Sequence, residues 1–380
     1  MSKHTRLFIL LLILYIGLGL PDSLLSTTWP SISQELDISI GFISIFSMIA
    51  IFSSMISSTY TYALNKLFGP TRVILMSMMF CLIGLIIFIT FKSFASLIVV
   101  QIIMGLGAGA IDSNVNFIAS QNLKVGEMNL LHGFWGVGIT LTPLITAIVY
   151  RLGYNQWMVF TILALLFIIL ISYGYINRSL LNIEIIAESE SKEKVKLKKR
   201  DMLGIGIYFF YGVEFLIGTF LATYLVTVVN VDEASAAFVV SCYWGGLMVS
   251  RLIMPILFKY IDTSKLLKIH CLLLLVCSVL INIDNFLVLT ITYIIIGYCF
   301  GPIFPTFVHY TERVNKENTA FYIGKQISTM YLSIFLSQVT VGYFAVRNGL
   351  GFYTALVSII IVILTILIFS YLHTFKKEIA

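Results

Sequence analysis

The sequence predicts an all-α integral membrane protein with twelve transmembrane helices in two six-helix pseudo-repeats. The chain is 59% hydrophobic and only 11% charged, whereas a soluble globular protein has about 25% charged residues. Its apolar residues form repeated segments of about 20 residues, the length that a helix needs to cross about 30 Å of hydrocarbon. A long charged stretch divides these segments six and six. Together these observations exclude an ordinary soluble protein.

The twelve segments follow one another with mostly short connections. Runs such as 159–175 and 356–369 do not alternate polar and apolar residues, as strands of a membrane barrel would. The charged stretch 178–202 is predicted to be a solvated linker between an N-terminal half, 1–177, and a C-terminal half, 203–380. The predicted spans are about 7–31, 39–64, 73–91, 95–121, 130–152, 157–177, 203–229, 235–258, 266–284, 286–310, 321–346 and 351–372.

The basic residues are distributed unevenly between the two sides of these spans. Twenty of the 24 lysine and arginine residues fall at the termini, in the linker and in the connections on that same side. The opposite connections hold only Lys92, Arg151 and Arg347, and Arg251 lies inside a span. This asymmetry is the positive-inside signal. Together with the richness in Ile, Lys and Asn, which is typical of some bacteria, it predicts a multi-pass protein of a bacterial plasma membrane with both termini in the cytoplasm. It also favours membrane lipids over nucleic acid as partners of a chain with net charge +6.

The two halves resemble each other at an offset of 192 residues. The stretch "IIMGLGAG" (102–109) aligns with "IIIGYCFG" (294–301), so that Gly105 corresponds to Gly297. The same offset pairs an acidic residue of the first span, Asp22, with an acidic residue of the seventh, Glu214. Two parallel six-helix repeats joined by a linker are typical of transporters with a site near the membrane midplane.

Four ionisable residues stand out inside the spans: Asp22, Asp112, Glu214 and Arg251. A charge at the centre of a spanning helix costs about 2.5–3.5 kcal/mol on insertion scales, so such residues normally face a cavity and mark a pathway. Carboxyl groups there can load and release a proton, or hold sodium. A purely structural role, in which the acids lock helices together, is the alternative for each of them.

The neighbours of these residues at helical spacing extend the candidate site. Carboxylates and amides can hydrogen-bond hydroxyl groups, and aromatic faces can lie against C–H surfaces, so the set suits a small polar uncharged solute such as a sugar. Small residues on a helix let a neighbouring backbone approach closely. The substrate-binding candidates are Asp22, Trp29, Asp112, Asn116, Trp135, Tyr211, Glu214 and Gln326. The candidates for helix packing or gating are Gly105, Gly109, His132, Arg251, Pro302 and Pro305.

Several stretches resemble the sugar-permease branch of the major facilitator superfamily, which contains the bacterial fucose permeases and glucose/galactose transporters. They are "YFFYGVEFLIGTFLATYL" (208–225), "FGPTRV" (68–73), "GPIFPTF" (301–307) and "GLPDSLLSTTWP" (19–30). The resemblance implies the major facilitator fold. It also implies proton coupling and sugar binding at Asp22 and Asp112. The loop "YALNKLFGPTRV" (62–73) departs from the superfamily's motif because it has no aspartate.

The predicted function is secondary active transport, namely proton-coupled symport of a sugar or similar polar solute by alternating access. A proton-driven exporter of drugs or other amphipathic compounds is the alternative, because "GVGITLTPLI" (136–145) carries half of an antiporter motif. A non-transporting membrane sensor is a third. No enzyme activity, cofactor or metal is expected, since the sequence contains no H-E-x-x-H, P-loop, C-x-x-C or G-x-S-x-G motif.

Overall fold

The computed structural model describes residues 2–123, 125–181, 197–315 and 319–375. Within these residues, twelve helical segments are long and apolar enough to cross a membrane. This confirms the predicted all-α membrane fold with twelve spans. Of the predicted linker, residues 182–196 lie outside the described residues, and the seventh span begins at Lys199, four residues before the predicted start.

Fifteen α-helices form these spans in the described residues. Two short 3₁₀ turns, Ile40–Phe42 and Arg178–Leu180, lie between them. In chain order the helices are α1 Lys3–Asp22, α2 Leu24–Glu35, α3 Ile43–Phe68, α4 Pro70–Phe91, α5 Phe94–Asn122, α6 Val125–Arg151, α7 Gln156–Ile176, α8 Lys199–Tyr211, α9 Val213–Thr227, α10 Glu233–Leu257, α11 Thr263–Leu280, α12 Phe286–Phe300, α13 Ile303–Val314, α14 Thr319–Asn348 and α15 Tyr353–Thr374.

The chain divides into two compact units. The first unit contains α1 to α7 together with Asp232–Ser241, the start of α10. The second unit contains α8, α9, the remainder of α10 from Cys242 onward, and α11 to α15. Each unit therefore has its own bundle of spanning helices, and each contains some of the candidate residues.

The first span is broken at Ser23, between α1 and α2. Pro21 lies in the last turn of α1, where it supplies no backbone N–H to the helix. Two hydroxyl groups link the break to α6. The hydroxyl of Thr142 on α6 donates to the backbone carbonyl of Leu20 at 2.6 Å, and the hydroxyl of Ser23, at the break, donates to the backbone carbonyl of Ile139 on α6 at 2.8 Å. A side chain of a neighbouring helix thus bonds a backbone carbonyl beside the break, as is usual where a spanning helix is interrupted.

The seventh and tenth spans are broken in the same manner. Gly212 separates α8 from α9, and the hydroxyl of Tyr243 on α10 donates to the carbonyl of Glu214 at 2.9 Å. In the tenth span, Tyr208 donates to the carbonyl of Phe304 at 3.0 Å, just past the break between α12 and α13. Tyrosine hydroxyls thus donate to backbone carbonyls beside the breaks of the second unit, as the hydroxyl of Thr142 does in the first.

Glycines bring two pairs of helices into backbone contact. A Cβ atom built at Gly105 or Gly109 would lie 2.4 or 2.1 Å from a carbonyl oxygen of α3. A Cβ atom at Gly297 would lie 2.0 Å from the carbonyl oxygen of Tyr243 on α10. Such distances are shorter than any non-bonded carbon–oxygen contact, so these positions require glycine. The packing of α5 on α3 in the first unit is repeated by α12 on α10 in the second.

Candidate functional site

Asp22 is the last residue of α1 and lies in the middle of the first span, Lys3–Glu35. Its carboxylate oxygen Oδ2 accepts a hydrogen bond of 2.7 Å from the indole Nε1 of Trp135 on α6. Despite its depth in the span, the Asp22 side chain is exposed rather than packed. The side chains of Asp22 and Trp135, two of the predicted substrate-binding residues, are therefore in direct contact, while their role in binding stays a prediction.

Asp112 forms a second cluster, with Asn116 one turn further along α5 and Tyr15 on α1. The amide of Asn116 donates to Oδ1 of Asp112 at 2.9 Å. The hydroxyl of Tyr15 lies 2.7 Å from Oδ1 of Asn116 and 3.2 Å from Oδ1 of Asp112. The edge of the Tyr15 ring also meets the ring of His132, with 5.5 Å between ring centroids. Tyr15 thus connects the polar residues of α5 with α6.

Sequence reasoning missed Tyr15, although the signal was present. Tyr15 precedes Asp22 by seven residues, so the two side chains lie on one face of α1. A tyrosine hydroxyl can donate one hydrogen bond and accept others. It can therefore donate to an ionised Asp112 and accept from a protonated one.

Neither Asp22 nor Asp112 has a cationic partner among the described residues. The hydrogen bonds of Asp22 and Asp112 come from the neutral groups of Trp135, Asn116 and Tyr15. An acid held by neutral donors can take up a proton without leaving an unpaired positive charge behind. Its charge can therefore change at lower electrostatic cost than the charge of a salt-bridged acid.

Glu214 in the second unit is surrounded differently. Its side chain is 1% exposed, and Oε1 lies 3.4 Å from the guanidinium of Arg251 on α10. The same guanidinium donates to the hydroxyl of Tyr211 at 3.3 Å. Removing one member of a buried ion pair leaves the other uncompensated, at a cost of about 3–5 kcal/mol. Glu214 and Arg251 thus form a neutral unit whose charges are tied to each other.

Gln338 on α14 adds a polar side chain to the second unit. Its amide nitrogen donates to the hydroxyl of Thr219 on α9 at 2.9 Å, and the side chain is buried. The amide oxygen of Gln338 has no hydrogen-bond partner among the described residues. A buried acceptor without a partner costs about 1–3 kcal/mol, and a hydroxyl group of a bound solute is one group that could satisfy it. Gln338 is recognisable in the sequence as a polar residue of the eleventh span, although only Gln326 of that span was predicted to bind substrate.

Two predicted substrate-binding residues lie in other clusters. Trp29 is fully buried on α2, where its indole donates to the carbonyl of Ile40 at 2.7 Å and packs against Phe46. Because the first span breaks at Ser23, the helical face that was expected to join Trp29 to Asp22 is interrupted. Gln326 is buried on α14 and bonds Thr311 at 2.8 Å. Their predicted contact with solute stays a prediction.

The remaining candidates occupy helix junctions and surfaces. Pro302 is buried at the break before α13, and Pro305 lies in the first turn of that helix. His132 is exposed on α6, beside the ring of Tyr15. Within the described ranges, no three His, Cys, Asp or Glu side chains come together as a metal site.

Comparison with known proteins gives a consistent result. The model of the Major Facilitator Superfamily matches residues 11–338. A glucose/galactose transporter of Brucella abortus is 27% identical over 171 residues, which is 41% of this chain and 42% of that protein. The glucose/mannose transporter GlcP of Bacillus subtilis is 24% identical over 258 residues, 63% of each chain.

The matched stretches therefore span less than two thirds of either relative. Among solved structures, the crystal structure of a D-xylose-proton symporter superposes with a TM-score of 0.70 at 10% identity, covering 97% of this chain and 98% of that one. At this level of identity the likeness shows the fold alone.

Proposed function

Since the chain belongs to the major facilitator superfamily, we propose that this multi-pass membrane protein is a secondary active transporter that couples movement of a sugar to movement of protons. Alternating access of the two six-helix halves would expose the site to each side of the membrane in turn. The proposal of a sugar rests on the named relatives, a glucose/galactose and a glucose/mannose transporter. These relatives favour a transporter over an enzyme or a sensor, and a sugar over an amphipathic drug.

The observation that carries proton coupling is the contrast between the acids of the two units. Asp22 and Asp112 are held by neutral donors, whereas Glu214 is paired with Arg251. Proton loading therefore falls to the first unit. Asp112 is the primary carrier in this proposal, because Tyr15 and Asn116 can stabilise both of its protonation states. Asp22 shares that role or bonds the solute.

Solute recognition uses groups that match sugar hydroxyls. Asp22 and the amide of Asn116 can accept or donate hydrogen bonds, and the indole of Trp135 offers an apolar face to C–H groups. In the second unit, the unsatisfied amide oxygen of Gln338 is an acceptor for a hydroxyl. A bound solute that lacks these hydroxyls would leave the same protein groups without hydrogen-bond partners. This cost is the usual physical reason why such a site rejects the analogue.

The proposed location is the bacterial plasma membrane with both termini in the cytoplasm. The Lys and Arg asymmetry supports the orientation of the termini, and the bacterial relatives support the kind of membrane. A cysteine introduced into 182–196 should resist an impermeant maleimide added to intact cells and react after the membrane is opened. If the cysteine is labelled in intact cells as fast as in opened cells, the termini face the outside and the proposed orientation is wrong.

Proteoliposomes test the coupling directly. Glucose, galactose, mannose and xylose would be added in turn while external pH and radiolabelled solute are followed. Wild-type protein should alkalinise the external medium with its solute and accumulate that solute against a gradient. Asp112→Asn, which resembles the protonated acid in shape, should lose accumulation and proton movement but retain solute exchange at equal concentrations.

The matched control is Asp37→Asn, which removes a carboxylate from an exposed position outside the spans and should behave as wild type. If Asp112→Asn still moves protons with solute at the wild-type rate, Asp112 is not the carrier. If a sodium gradient drives accumulation and a proton gradient does not, the coupling ion is sodium and not the proton. Binding of a sugar without any flux would instead favour a sensor.

A further inference from the structure

A groove on the first unit lies between α4 and α7 and has a volume of about 620 Å³. This is within the range of roughly 300–1,000 Å³ that holds small molecules in proteins. Its walls are apolar side chains, among them the exposed Met79, Phe80 and Ile83 on α4 and the half-buried Ile171 on α7. The groove opens onto the surface of the spans, where the acyl chains of the membrane lie.

One end of the groove is basic. Arg72, in the first turn of α4, is part of its lining, as are Tyr175 and Ile176 at the end of α7. The guanidinium of Arg178 lies 4.1 Å from the centre of the Tyr175 ring. Within the described chain, neither Arg72 nor Arg178 forms a salt bridge. Two positive charges without a carboxylate partner among the described residues therefore lie at one end of the apolar groove.

The length of the groove fits one leaflet. Arg72 and Ile83 are eleven residues apart on a continuous helix, a rise of about 16 Å at 1.5 Å per residue. Half of a hydrocarbon core of about 30 Å is about 15 Å. A chain lying from the arginine end to Ile83 would therefore extend from the headgroup level to the membrane midplane.

We propose that this groove binds one phospholipid with an anionic headgroup. Its phosphate contacts Arg72, with Arg178 adjacent, and one acyl chain lies along Met76, Met79 and Phe80. Methionine side chains are flexible and adapt to irregular apolar partners, which suits a chain with many conformations. The lipid belongs to the leaflet on the side of the chain termini, which is the cytoplasmic leaflet under the orientation proposed above.

Native mass spectrometry of the purified, delipidated protein tests this assignment. The protein would be titrated with phosphatidylglycerol and with phosphatidylethanolamine carrying the same acyl chains. A basic residue near an anionic headgroup contributes about 1 kcal/mol, or about fivefold in binding. The apparent Kd for phosphatidylglycerol should therefore rise about fivefold in Arg72→Gln, and about 25-fold in Arg72→Gln/Arg178→Gln. The rise should be smaller for phosphatidylethanolamine, because its ammonium group offsets the charge of its phosphate.

Two controls separate this site from general effects of charge and bulk. Lys259→Gln/Lys265→Gln removes two basic residues from the second unit and should leave both affinities within twofold of wild type. Ile83→Trp, which fills the apolar end, should weaken both lipids. Ile169→Trp, at an exposed position of α7 outside the groove lining, should weaken neither.

Equal affinity of the wild-type protein for the two lipids would overturn the proposal without any variant. So would equal losses in the arginine double variant and the lysine control. Because binding is measured without a solute, an ion gradient or transport, the result is independent of proton coupling. If labelling reverses the orientation, the same site would face the opposite leaflet.

Discussion

Arg251→Met should destabilise the second unit strongly, and Glu214→Gln should recover much of that loss. The two charged groups are 3.4 Å apart, and Glu214 is 1% exposed. At an effective dielectric constant of about 20, unit charges at this separation attract by about 5 kcal/mol. Truncating one member of a buried pair typically costs about 3–5 kcal/mol, because the other charge is left uncompensated. We expect a loss of about 3 kcal/mol or more for the single variant.

The assay is reversible unfolding of the purified protein in detergent, measured for both single variants and for Glu214→Gln/Arg251→Met. The double variant should be at least 1 kcal/mol more stable than the sum of the single losses predicts, since residues in one ion pair are coupled. Lys259→Met, an exposed cation beyond the end of α10, should change stability by less than about 0.5 kcal/mol. Additivity of the two single losses within about 0.5 kcal/mol would refute the ion pair.

Three further changes probe packing, the broken span and a helix start. Gly109→Ala should lower the unfolding midpoint and solute flux, because its Cβ would lie 2.1 Å from a carbonyl oxygen of α3, whereas Gly324→Ala, with open space around it, should change neither. Thr142→Val should cost about 0.5–1.5 kcal/mol in the same unfolding assay, because it removes the 2.6 Å bond to the carbonyl of Leu20 without changing shape; an unchanged stability would mean that water replaces the hydroxyl. Asp232 accepts hydrogen bonds from Ser235, and the bond from the Ser235 side chain, followed by the bond from its backbone N–H, lowers the pKa of the Asp232 carboxyl. The stabilisation from the ionised Asp232 is therefore complete above the unfolded pKa of about 3.9 and is lost as pH falls through the lower folded pKa. Asn also caps helices but does not titrate, so Asp232→Asn should remove that acid sensitivity. An unchanged acid-unfolding curve would contradict this prediction.

The number and order of the spans were predictable because length and hydropathy alone determine whether a helix can cross a membrane. The breaks within three spans were not predicted. Pro21 and Gly212 are residues that also occur in unbroken spans, and the break depends on hydroxyls from other helices, such as those of Thr142 and Tyr243. Propensity along one helix contains no information about such partners.

The candidate site was predictable to a similar degree. A charge within a spanning helix is costly enough that Asp22, Asp112 and Glu214 stand out from their apolar background. Which donor each acid meets depends on how helices pack, so the pairing of Glu214 with Arg251 required the structure. Tyr15 is the exception, since its seven-residue spacing from Asp22 is readable in the sequence.

The different partners of the acids have a consequence for the membrane voltage. A transmembrane potential acts on net charge, at about 2.3 kcal/mol per elementary charge moved through 100 mV. The Glu214–Arg251 pair has no net charge, so rearranging it as a unit does little electrical work. An ionised Asp22 or Asp112 has no such counter-charge among the described residues. Membrane voltage should therefore act on the transport cycle through Asp22 and Asp112 of the first unit. It should act little on the Glu214–Arg251 pair of the second unit, although the two units share the same helix packing.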